Sequence, residues 1–420
     1  MEKKFLAIGM VAILVVVAAA AIFIGNGEEK TDESVIADAA GNVIGDDLDA
    51  SRLMTVGVGT LRWVSYFGFE DNVVCIDAGD ANNSSWNGKG YRSLFDFDSA
   101  KMASLMKGSQ ADPVESHVTE YGMALHDHNT LSSNNLQSLS EWKEKPTLAI
   151  VSKSVYDGFA PEFKDGLSKL MDVVVIYEVD EFVDGSNEFS KEFESNLSIL
   201  GCALDAEKRA NDLKAGIVWI LCDIADLVKN RDVIYDKSYI GGTAFSGSKS
   251  LTFSVGDYLP FNLAGVTNSF ANDSTTSVDT GSDGLSQFNP DIMFLDLSGT
   301  GKFLQSESEP VRKYAELHDL PVYTLLPYFW FGYNFDNAIA NAYFLIYACY
   351  NGVLTYDECI ERISNAYEVF MPGAENLEKD GFKGGEVVLK NMNEYYSKTG
   401  SKLVFDGSKL VSTGDSFVKA

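Results

Sequence analysis

The segment from Ala203 to Lys229 limits most strongly how this chain can fold. It contains no proline, and its apolar residues recur at helical spacing, namely at Leu213, Ile217, Ile220, Leu221, Ile224, Leu227 and Val228. About 27 residues at 1.5 Å each make a helix ~40 Å long. Asp205 and Glu207 near its start and Lys229 at its end suit the helix dipole. We therefore predict one long helix within 202–230.

Strands and helices alternate on both sides of this segment. The first series predicts strands at Leu53–Gly57, Val73–Ile76, Thr147–Val151 and Val173–Tyr177, and helices at Thr60–Phe67 and Leu136–Trp142. The second predicts strands at Val233–Ile240, Ile292–Leu297 and Val322–Leu326, and helices at Asp257–Ala264, Val311–His318, Asn337–Tyr350 and Tyr356–Phe370. Such alternation is typical of parallel α/β sheets. The predicted fold class is α/β, with lobes at 38–201 and 231–371 joined by the long helix, and a tail of uncertain structure at 372–420.

The N-terminus predicts the compartment. Phe5–Ile24 is a run of twenty residues without a charge, and a helix of that length spans ~30 Å, the thickness of a bilayer core. Lysines before the run and acidic residues after it place the rest of the chain outside the cytoplasm. Residues 1–25 are predicted to be a signal anchor; a cleaved signal peptide is the alternative, because Ala18–Ala21 offers small residues. Residues 26–37 are predicted to be an acidic tether.

Charge and motif content exclude several classes of function. The chain has 33 basic and 61 acidic residues, a net charge of −28, which disfavours binding to nucleic acid. Its five cysteines include no CxxC pair, so no zinc or redox motif is indicated. No GxSxG, HExxH or P-loop motif is present either. We therefore predict that the chain is not an enzyme and has no resident cofactor.

Five short motifs carry a resemblance to a known family. They are Asp38–Gly45, Val56–Tyr66, Asn135–Leu139, Asn289–Leu295, and Leu325–Tyr328 with Asn334–Tyr343. In this order and spacing they resemble the iron-siderophore and cobalamin branch of ABC-transporter substrate-binding proteins (periplasmic binding protein class III), archaeal type, over roughly 38–371. Lys145-Pro146-Thr147 stands where the family usually has Pro-Asp, and the stretch at 109–128 is unusual.

The resemblance implies a fold and a function. It implies two Rossmann-like lobes that hold an iron(III) complex, a siderophore or a corrinoid between them. It also implies a monomeric receptor that delivers this solute to an ABC permease dimer with its ATPase, through surface carboxylates. Two alternatives stay open. One is a metal-cluster or cofactor-carrying, enzyme-like protein, which needs Cys or His ligands converging on one cleft. The other is a surface adhesion module, which predicts a flat aromatic patch at Tyr328–Tyr333.

The first lobe offers two candidate ligand-binding groups. One is a loop that resembles the ligand loop of the family, with Trp86, Lys89, Tyr91 and Arg92. An arginine is a bidentate donor to ligand oxygens, and aromatic rings cover an apolar rim; the alternative is a solvated loop. The other is the turn after the first strand, with Thr60 and Arg62, where helix N-terminal amides bind anions. An ordinary strand-to-helix turn is the alternative there.

The second lobe offers two more candidates. Glycine at a strand end lets a ligand approach the backbone closely, which suggests Gly242, Thr243 and Phe245; a tight turn is the alternative. The aromatic run at 328–333 lacks helical core spacing. We interpret it as a ligand platform, with packing as the alternative, formed by Tyr328, Phe329, Trp330 and Tyr333. Finally, His126 and His128 are metal-ligand types, although an exposed polar loop is favoured there.

Overall fold

The computed structural model describes residues 36–45, 47–81, 124–129, 131–142, 145–183, 188–244, 251–270, 276–296, 298, 310–318, 320–329, 333–371, 410–413 and 416–419. They form two compact units, and the division falls between Cys222 and Asp223. No helix within these ranges has both the length and the hydropathy to cross a membrane. The anchor predicted at 1–25 lies outside the described residues.

The first unit is built on five strands. They are β1 Leu53–Val56, β2 Val73–Asp77, β3 Ala124–His126, β4 Leu148–Ser152 and β5 Asp172–Ile176. The order is β3-β2-β1-β4-β5, and neighbouring strands are parallel. Strands β1 and β4 are mostly apolar and almost wholly buried, as expected where helices cover both faces of a sheet. The predicted parallel α/β arrangement is confirmed, with β3 as an additional strand.

Helices flank this sheet. They are α1 Thr60–Tyr66, α2 Ala78–Ala81, α3 Ser133–Glu141, α4 Lys153–Gly158, α5 Pro161–Ser168, α6 Lys191–Ala203 and α7 Glu207–Val228. The core packs Met54, Val56, Ala149 and Val151 of the sheet against Leu139 of α3 and Phe163 of α5. Burial of such side chains stabilises the unit by about 1.5–3 kcal/mol each.

The long helix begins later than its sequence indicates. Helix α6 ends at Ala203, Asp205 has a positive φ of 50°, and α7 begins at Glu207. A Cβ at Gly201 would lie 3.3 Å from the Ala210 side chain and 3.4 Å from Glu207 Cα. Glycine therefore allows α6 and α7 to approach each other closely. The prediction of a helix starting at 203 was wrong at that end, because the turn interrupts a continuous helical pattern.

The opening turn of the first unit is fixed by one carboxylate. Asp38 accepts hydrogen bonds from the backbone N–H groups of Ala40, at 2.9 Å, and Asn42, at 2.8 Å. Its other oxygen accepts from the backbone N–H of Val175 in β5 at 3.0 Å. The Ala39 N–H donates to the Val175 carbonyl at 2.9 Å. The Asp38–Gly45 motif thus closes a turn and attaches it to the outer strand β5.

The second unit contains a mixed sheet. Its strands are β6 Ser238–Gly241, β7 Phe253–Ser254, β8 Val278–Asp279, β9 Ile292–Asp296, β10 Val322–Leu325, β11 Leu410–Thr413 and β12 Ser416–Lys419. The main sheet has the order β12-β11-β10-β9-β6, with β6, β9 and β10 parallel. Strands β11 and β12 are antiparallel additions, so part of the tail joins this sheet. Strand β6 is shorter than the predicted 233–240.

The helices of the second unit are α8 Leu259–Ala264, α9 Gly281–Phe288, α10 Pro310–His318, α11 Phe335–Cys349 and α12 Tyr356–Phe370. A capping box formed by Thr355 and Glu358 begins α12, which satisfies backbone N–H groups of its first turn. Asp223 accepts hydrogen bonds from Tyr343 Oη at 2.9 Å and Arg362 Nε at 3.0 Å. These bonds connect the C-terminal part of α7 to α11 and α12.

Candidate functional site

The carboxyl edge of the first sheet gathers several polar side chains. Strands β1, β2 and β3 are parallel neighbours, so the residues that follow them meet at one edge. These are the glycine turn at 57–59, Asp77 at the end of β2 with Asp80 beyond it, and His126 at the end of β3 with His128 beyond it. Ligands of parallel α/β folds bind outside this edge. The edge is therefore the candidate site of the first unit.

Asp77 is the centre of this group. Its Oδ2 accepts hydrogen bonds from Gly57 N at 3.1 Å and from His128 Nδ1 at 2.7 Å, and its Oδ1 accepts from Gly79 N at 2.8 Å. Burial acts to raise the Asp77 pKa, but the His128 hydrogen bond and nearby His126 hold that pKa below its ordinary value. The same hydrogen bond raises the pKa of His128. The carboxylate is thus held charged in a buried position.

Asp80 occupies the amides that the sequence suggested for an anion. The backbone N–H of Gly59 donates to Asp80 Oδ1 at 2.9 Å, and that of Leu61 donates to Oδ2 at 3.4 Å. Thr60 and Arg62 are 2% and 3% exposed, and Thr60 Oγ1 donates to the Val56 carbonyl. The predicted role of this turn in binding a ligand anion is therefore corrected. The protein supplies its own carboxylate, and both side chains are part of the core.

The two histidines each use one ring nitrogen on a protein group. His126 is 5% exposed, and its Nε2 lies 2.6 Å from the Thr55 carbonyl oxygen, so Nε2 carries the proton. His126 Nδ1 is buried and has no hydrogen-bond partner among the described residues. Nor does the described part contain three His, Cys, Asp or Glu side chains placed to hold a metal ion together. The structure therefore gives His126 and His128 no shared protein-only metal site there.

A second edge lies in the other unit, after β6, β9 and β10. Asp296 ends β9 and accepts hydrogen bonds from Tyr258 Oη at 2.9 Å, Ser298 N at 2.8 Å and Tyr328 N at 3.2 Å. Burial raises the pKa of Asp296 to about 6, although these donors oppose that rise. Burial and Asp296 together raise the pKa of Tyr258. Asp296 thus links β9, α8 and the chain after β10.

The predicted aromatic platform is partly a packing cluster. The ring centroids of Tyr328 and Phe329 are 4.7 Å apart, those of Tyr328 and Tyr333 are 5.2 Å apart, and those of Phe329 and Tyr333 are 5.4 Å apart. Tyr328 is 1% exposed and packs on Tyr258, so the platform role is corrected for this residue. Phe329 and Tyr333 are half-buried, and their role as a ligand platform stays a prediction. Trp330 lies outside the described residues.

Three buried asparagines hold the chain after β10, and the sequence analysis missed them. Asn334 and Asn337 donate to the Pro327 carbonyl at 3.0 Å and 2.7 Å. Asn341 donates to the Leu326 carbonyl at 2.9 Å and accepts from its N–H at 2.8 Å. Their spacing of three and four residues, which places them on one helix face, is the signal that could have found them.

The glycine turn after β6 is occupied by the protein itself. A Cβ at Gly241 would clash with the Leu251 carbonyl oxygen, and Gly242 has φ +77°. Thr243 is buried, and its Oγ1 donates to the Phe253 carbonyl at 3.1 Å and lies 2.8 Å from Ser277 Oγ. The ligand role predicted for Gly242 and Thr243 is therefore corrected to a tight turn. Phe245 lies outside the described residues, as do Trp86, Lys89, Tyr91 and Arg92.

The cysteines do not assemble a cluster. All five lie within the described ranges and none forms a disulfide. Cys75, Cys349 and Cys359 are buried, and burial raises the thiol pKa to about 12 for Cys349 and Cys359. Cys202 and Cys222 are only partly buried. Protonated, buried thiols are poor metal ligands.

Comparison with known proteins shows a fold likeness. No family model matches the chain, and no curated protein matches it significantly. A periplasmic solute-binding protein from Veillonella parvula is 13% identical with a TM-score of 0.55; the match covers 87% of this chain and 99% of that one. The molybdate-binding protein MolA from Haemophilus influenzae, bound to molybdate, matches at 13% identity and TM-score 0.47. That match covers 87% of this chain and 98% of MolA.

A third match is the TroA-like periplasmic binding protein FepB from Veillonella parvula. It is 13% identical with a TM-score of 0.45, and covers 86% of this chain and 95% of FepB. The similarity to the Veillonella parvula solute-binding protein, with a TM-score of 0.55, is the strongest of these three. It shows that this chain has the α/β fold of a periplasmic solute-binding protein. The archaeal type suggested by the motifs stays a prediction.

Proposed function

We propose that this chain is the extracytoplasmic solute-binding component of an ABC importer. One observation carries the proposal, namely that the fold matches a solved periplasmic solute-binding protein over 99% of that protein's length. A match over 87% of this chain includes residues of both α/β units. The proposed activity is binding and delivery, without catalysis of a reaction.

The proposed solute is an iron(III) complex or siderophore, with a corrinoid as the closest substitute. The half-buried rings of Phe329 and Tyr333 provide apolar contact for an organic chelate. The predicted loop residues Trp86, Lys89, Tyr91 and Arg92 would add ring contacts and hydrogen-bond donors. The motifs that resemble the iron-siderophore and cobalamin branch also support this solute class.

The proposed partners follow from the delivery function. The solute-loaded protein docks on a permease dimer that is driven by its ATPase, and it acts as a monomer. Residues 5–24 hold it at the outer face of the membrane, or are removed when the protein is secreted. The net charge of −28 supplies the surface carboxylates that such docking needs.

A thermal-shift screen tests the proposal. The full chain, purified in mild detergent because of its apolar N-terminal run, is heated with ferric siderophores, haem, cobalamin and molybdate. At a concentration 100 times its Kd, a ligand stabilises the native state by about 2.7 kcal/mol. At about 2–4 °C per kcal/mol for domains of this size, the midpoint rises by several degrees.

Variants then locate the site. Arg92→Ala and Trp330→Ala are each expected to abolish the ligand-induced rise. Trp219→Ala is the matched control, because Trp219 is 58% exposed on α7 and is not assigned to the site. If none of the metal complexes raises the midpoint of the unsubstituted chain, the proposed function is wrong.

A further inference from the structure

Tyr258 connects the buried carboxylate of Asp296 to the aromatic rings that follow β10. Its hydroxyl donates a hydrogen bond to Asp296 Oδ2 at 2.9 Å. Its ring centroid lies 5.7 Å from that of Tyr328 and 5.8 Å from that of Phe329. Phe329 packs in turn on Tyr333, and these two half-buried residues belong to the platform proposed for the solute. One side chain therefore contacts both an ionisable group and a ring of that platform.

The backbone of the same segment is also attached to Asp296. The Tyr328 N–H donates to Asp296 Oδ2 at 3.2 Å and faces Oδ1 at 3.4 Å. The Phe329 N–H donates to Ser298 Oγ at 3.1 Å, and the Ser298 N–H donates to Asp296 Oδ1 at 2.8 Å. Two consecutive residues are thus held by the carboxylate, Tyr328 directly and Phe329 through Ser298.

The charge of Asp296 decides how strongly this segment is held. Tyr258, Ser298 and Tyr328 all donate to the carboxylate, and hydrogen bonds to an ionised acceptor are roughly twice as strong as those to a neutral one. A protonated carboxyl group has an O–H donor and less capacity to accept. A backbone N–H cannot become an acceptor, whereas the Tyr258 hydroxyl can rotate. Protonation therefore weakens the attachment of Tyr328 and reorients the Tyr258 hydroxyl.

The groups packed against Asp296 leave it as the one that titrates near neutral pH. Its titratable neighbours are Tyr258, which precedes α8, and Tyr328, which follows β10, and burial and Asp296 raise the pKa of Tyr258. On β10 the residue in register with Asp296 is the apolar Leu325. Helix α11 contributes the uncharged amide of Asn341, whose Nδ2 lies 3.5 Å from Tyr258 Oη. Burial raises the pKa of Asp296 to about 6, so its charge changes between pH 5 and pH 7.

We propose that Asp296 is a positioning residue for the solute platform of the second unit, and that its protonation weakens solute binding. The inference rests on the proposed function and adds regulation of the proposed site by pH. The charged carboxylate holds Tyr328 and Phe329 in the arrangement that receives the solute, and the neutral carboxyl group loosens it. Because linkage is reciprocal, bound solute lowers the pKa of Asp296.

The charge of Asp296 has opposite effects on stability and on solute binding. Burying a charge is unfavourable, so ionisation of Asp296 lowers the stability of the unit as pH rises. The same ionisation strengthens the hydrogen bond from the Tyr328 N–H. A merely structural role predicts that affinity follows stability and is higher at pH 5. The proposed role predicts that affinity is higher at pH 7.

Equilibrium binding of two probes to the full chain in mild detergent tests this difference. The probes are ferrioxamine B and cyanocobalamin, whose own charges do not change between pH 5 and pH 7. We expect the Kd of a bound probe to be weaker at pH 5 than at pH 7 by about fivefold or more. Without a probe, the protection factors of the Tyr328 and Phe329 amides against hydrogen exchange should fall at pH 5 more than those of β9. Protection factors correct for the intrinsic pH dependence of exchange.

Four variants assign the effect to Asp296. Asp296→Asn should show the weaker Kd at both pH values, because the carboxamide carries no charge. Tyr258→Phe should move the midpoint of the Kd profile to higher pH, because its hydroxyl lowers the pKa of the carboxylate. Asp283→Asn, exposed on α9, is the matched control and keeps the unsubstituted profile. Asp336→Asn should keep it too, and it removes the other buried carboxylate of the described second unit.

The outcomes separate this inference from the proposed function. A Kd that is equal at both pH values or stronger at pH 5, or a pH dependence that persists in folded Asp296→Asn, overturns the role of Asp296 and leaves the receptor function intact. Unchanged protection of Tyr328 and Phe329 at pH 5 does the same. If neither probe binds the unsubstituted chain at any pH, the proposed function is wrong and this inference fails with it.

Discussion

The Tyr258 hydroxyl donates a 2.9 Å hydrogen bond to Asp296 Oδ2, and both residues are fully buried. Tyr258 immediately precedes α8, Asp296 ends β9, and the same carboxylate accepts from the backbone of Tyr328. One acidic side chain therefore fixes three chain segments at the carboxyl edge of the second sheet. The protonation of Asp296 and the loss of its hydrogen-bond donors can both be followed through the stability of the second unit.

The stability of the second unit should fall as pH rises through the pKa of Asp296. That pKa is raised from 3.8 to about 6 by burial. A raised folded-state pKa stabilises the native state fully below pH 3.8, and this contribution is lost as pH rises to about 6. A pKa raised by about two units changes the free energy of unfolding by about 3 kcal/mol over this pH range. Asp296→Asn should flatten this part of the profile in denaturant unfolding at pH 4 to 7, whereas exposed Asp283→Asn should not. A profile unchanged in Asp296→Asn contradicts the prediction.

Tyr258→Phe should destabilise the second unit. The substitution removes one donor from a buried carboxylate, and a charged group left short of a partner costs about 1–3 kcal/mol. The unfolding midpoint in urea measures the loss. Tyr314→Phe, on α10 beside His318, is the control and should change stability by less than about 0.5 kcal/mol. Equal effects of the two substitutions would show that the Tyr258 hydroxyl contributes nothing specific.

Asn341→Ala should weaken the attachment of α11 to the chain after β10. The substitution removes the hydrogen-bond partner of both the N–H and the carbonyl of Leu326. Each buried group left unpaired lowers the free energy of unfolding by about 1–3 kcal/mol. Hydrogen exchange should accelerate at Leu326 and Tyr328 more than in β9. Asn262→Ala, which removes an amide whose bond to Asp257 is exposed, serves for comparison. An unchanged rate of hydrogen exchange at Leu326 would show that the Asn341 side chain does not hold this part of the chain.

Gly57→Ala should destabilise the first unit. Gly57 has φ +96°, and an added Cβ would clash with Ser152 Oγ of β4. The left-handed conformation alone costs a non-glycine residue about 1–2 kcal/mol, and the clash adds to it. Gly158→Ala, with open space around the new Cβ, should be neutral or stabilising by up to about 1 kcal/mol. Thermal unfolding compares the stability of the two variants. If Gly57→Ala is as stable as Gly158→Ala, the backbone at position 57 imposes no strain on a residue with a Cβ.

The sequence predicted the parts of the fold that depend on local pattern. The apolar run Leu148-Ala149-Ile150-Val151 predicts its strand from local sequence alone, and the helical spacing in α7 predicts its helix in the same way. The start of α7 was missed because a turn at Asp205 interrupts a pattern that stays helical on both sides. Strand β3 is only three residues long and was not separable from its polar surroundings.

The candidate site was harder to predict because its contacts are long-range. Asp77 and His128 meet across 51 residues, and Asp80 reaches the Gly59 amide across 21. A carboxylate after a strand has the same local sequence whether it binds a ligand or fills a helix N-terminus. Only the folded sheet reveals that Asp80 occupies the amides of α1. It also shows that Thr60 and Arg62 are buried instead of facing solute.

The turn at Asp38 has a consequence for self-association. Strand β5 is the outermost strand of the described first sheet, and outer strands offer unpaired N–H and C=O groups to other chains. The Asp38 carboxylate and the Ala39 N–H use both backbone groups of Val175 on that strand. The opening turn therefore protects the sheet against edge-to-edge aggregation. A chain shortened past Gly45 would lose that protection together with the buried side chains of Ala39 and Ile44.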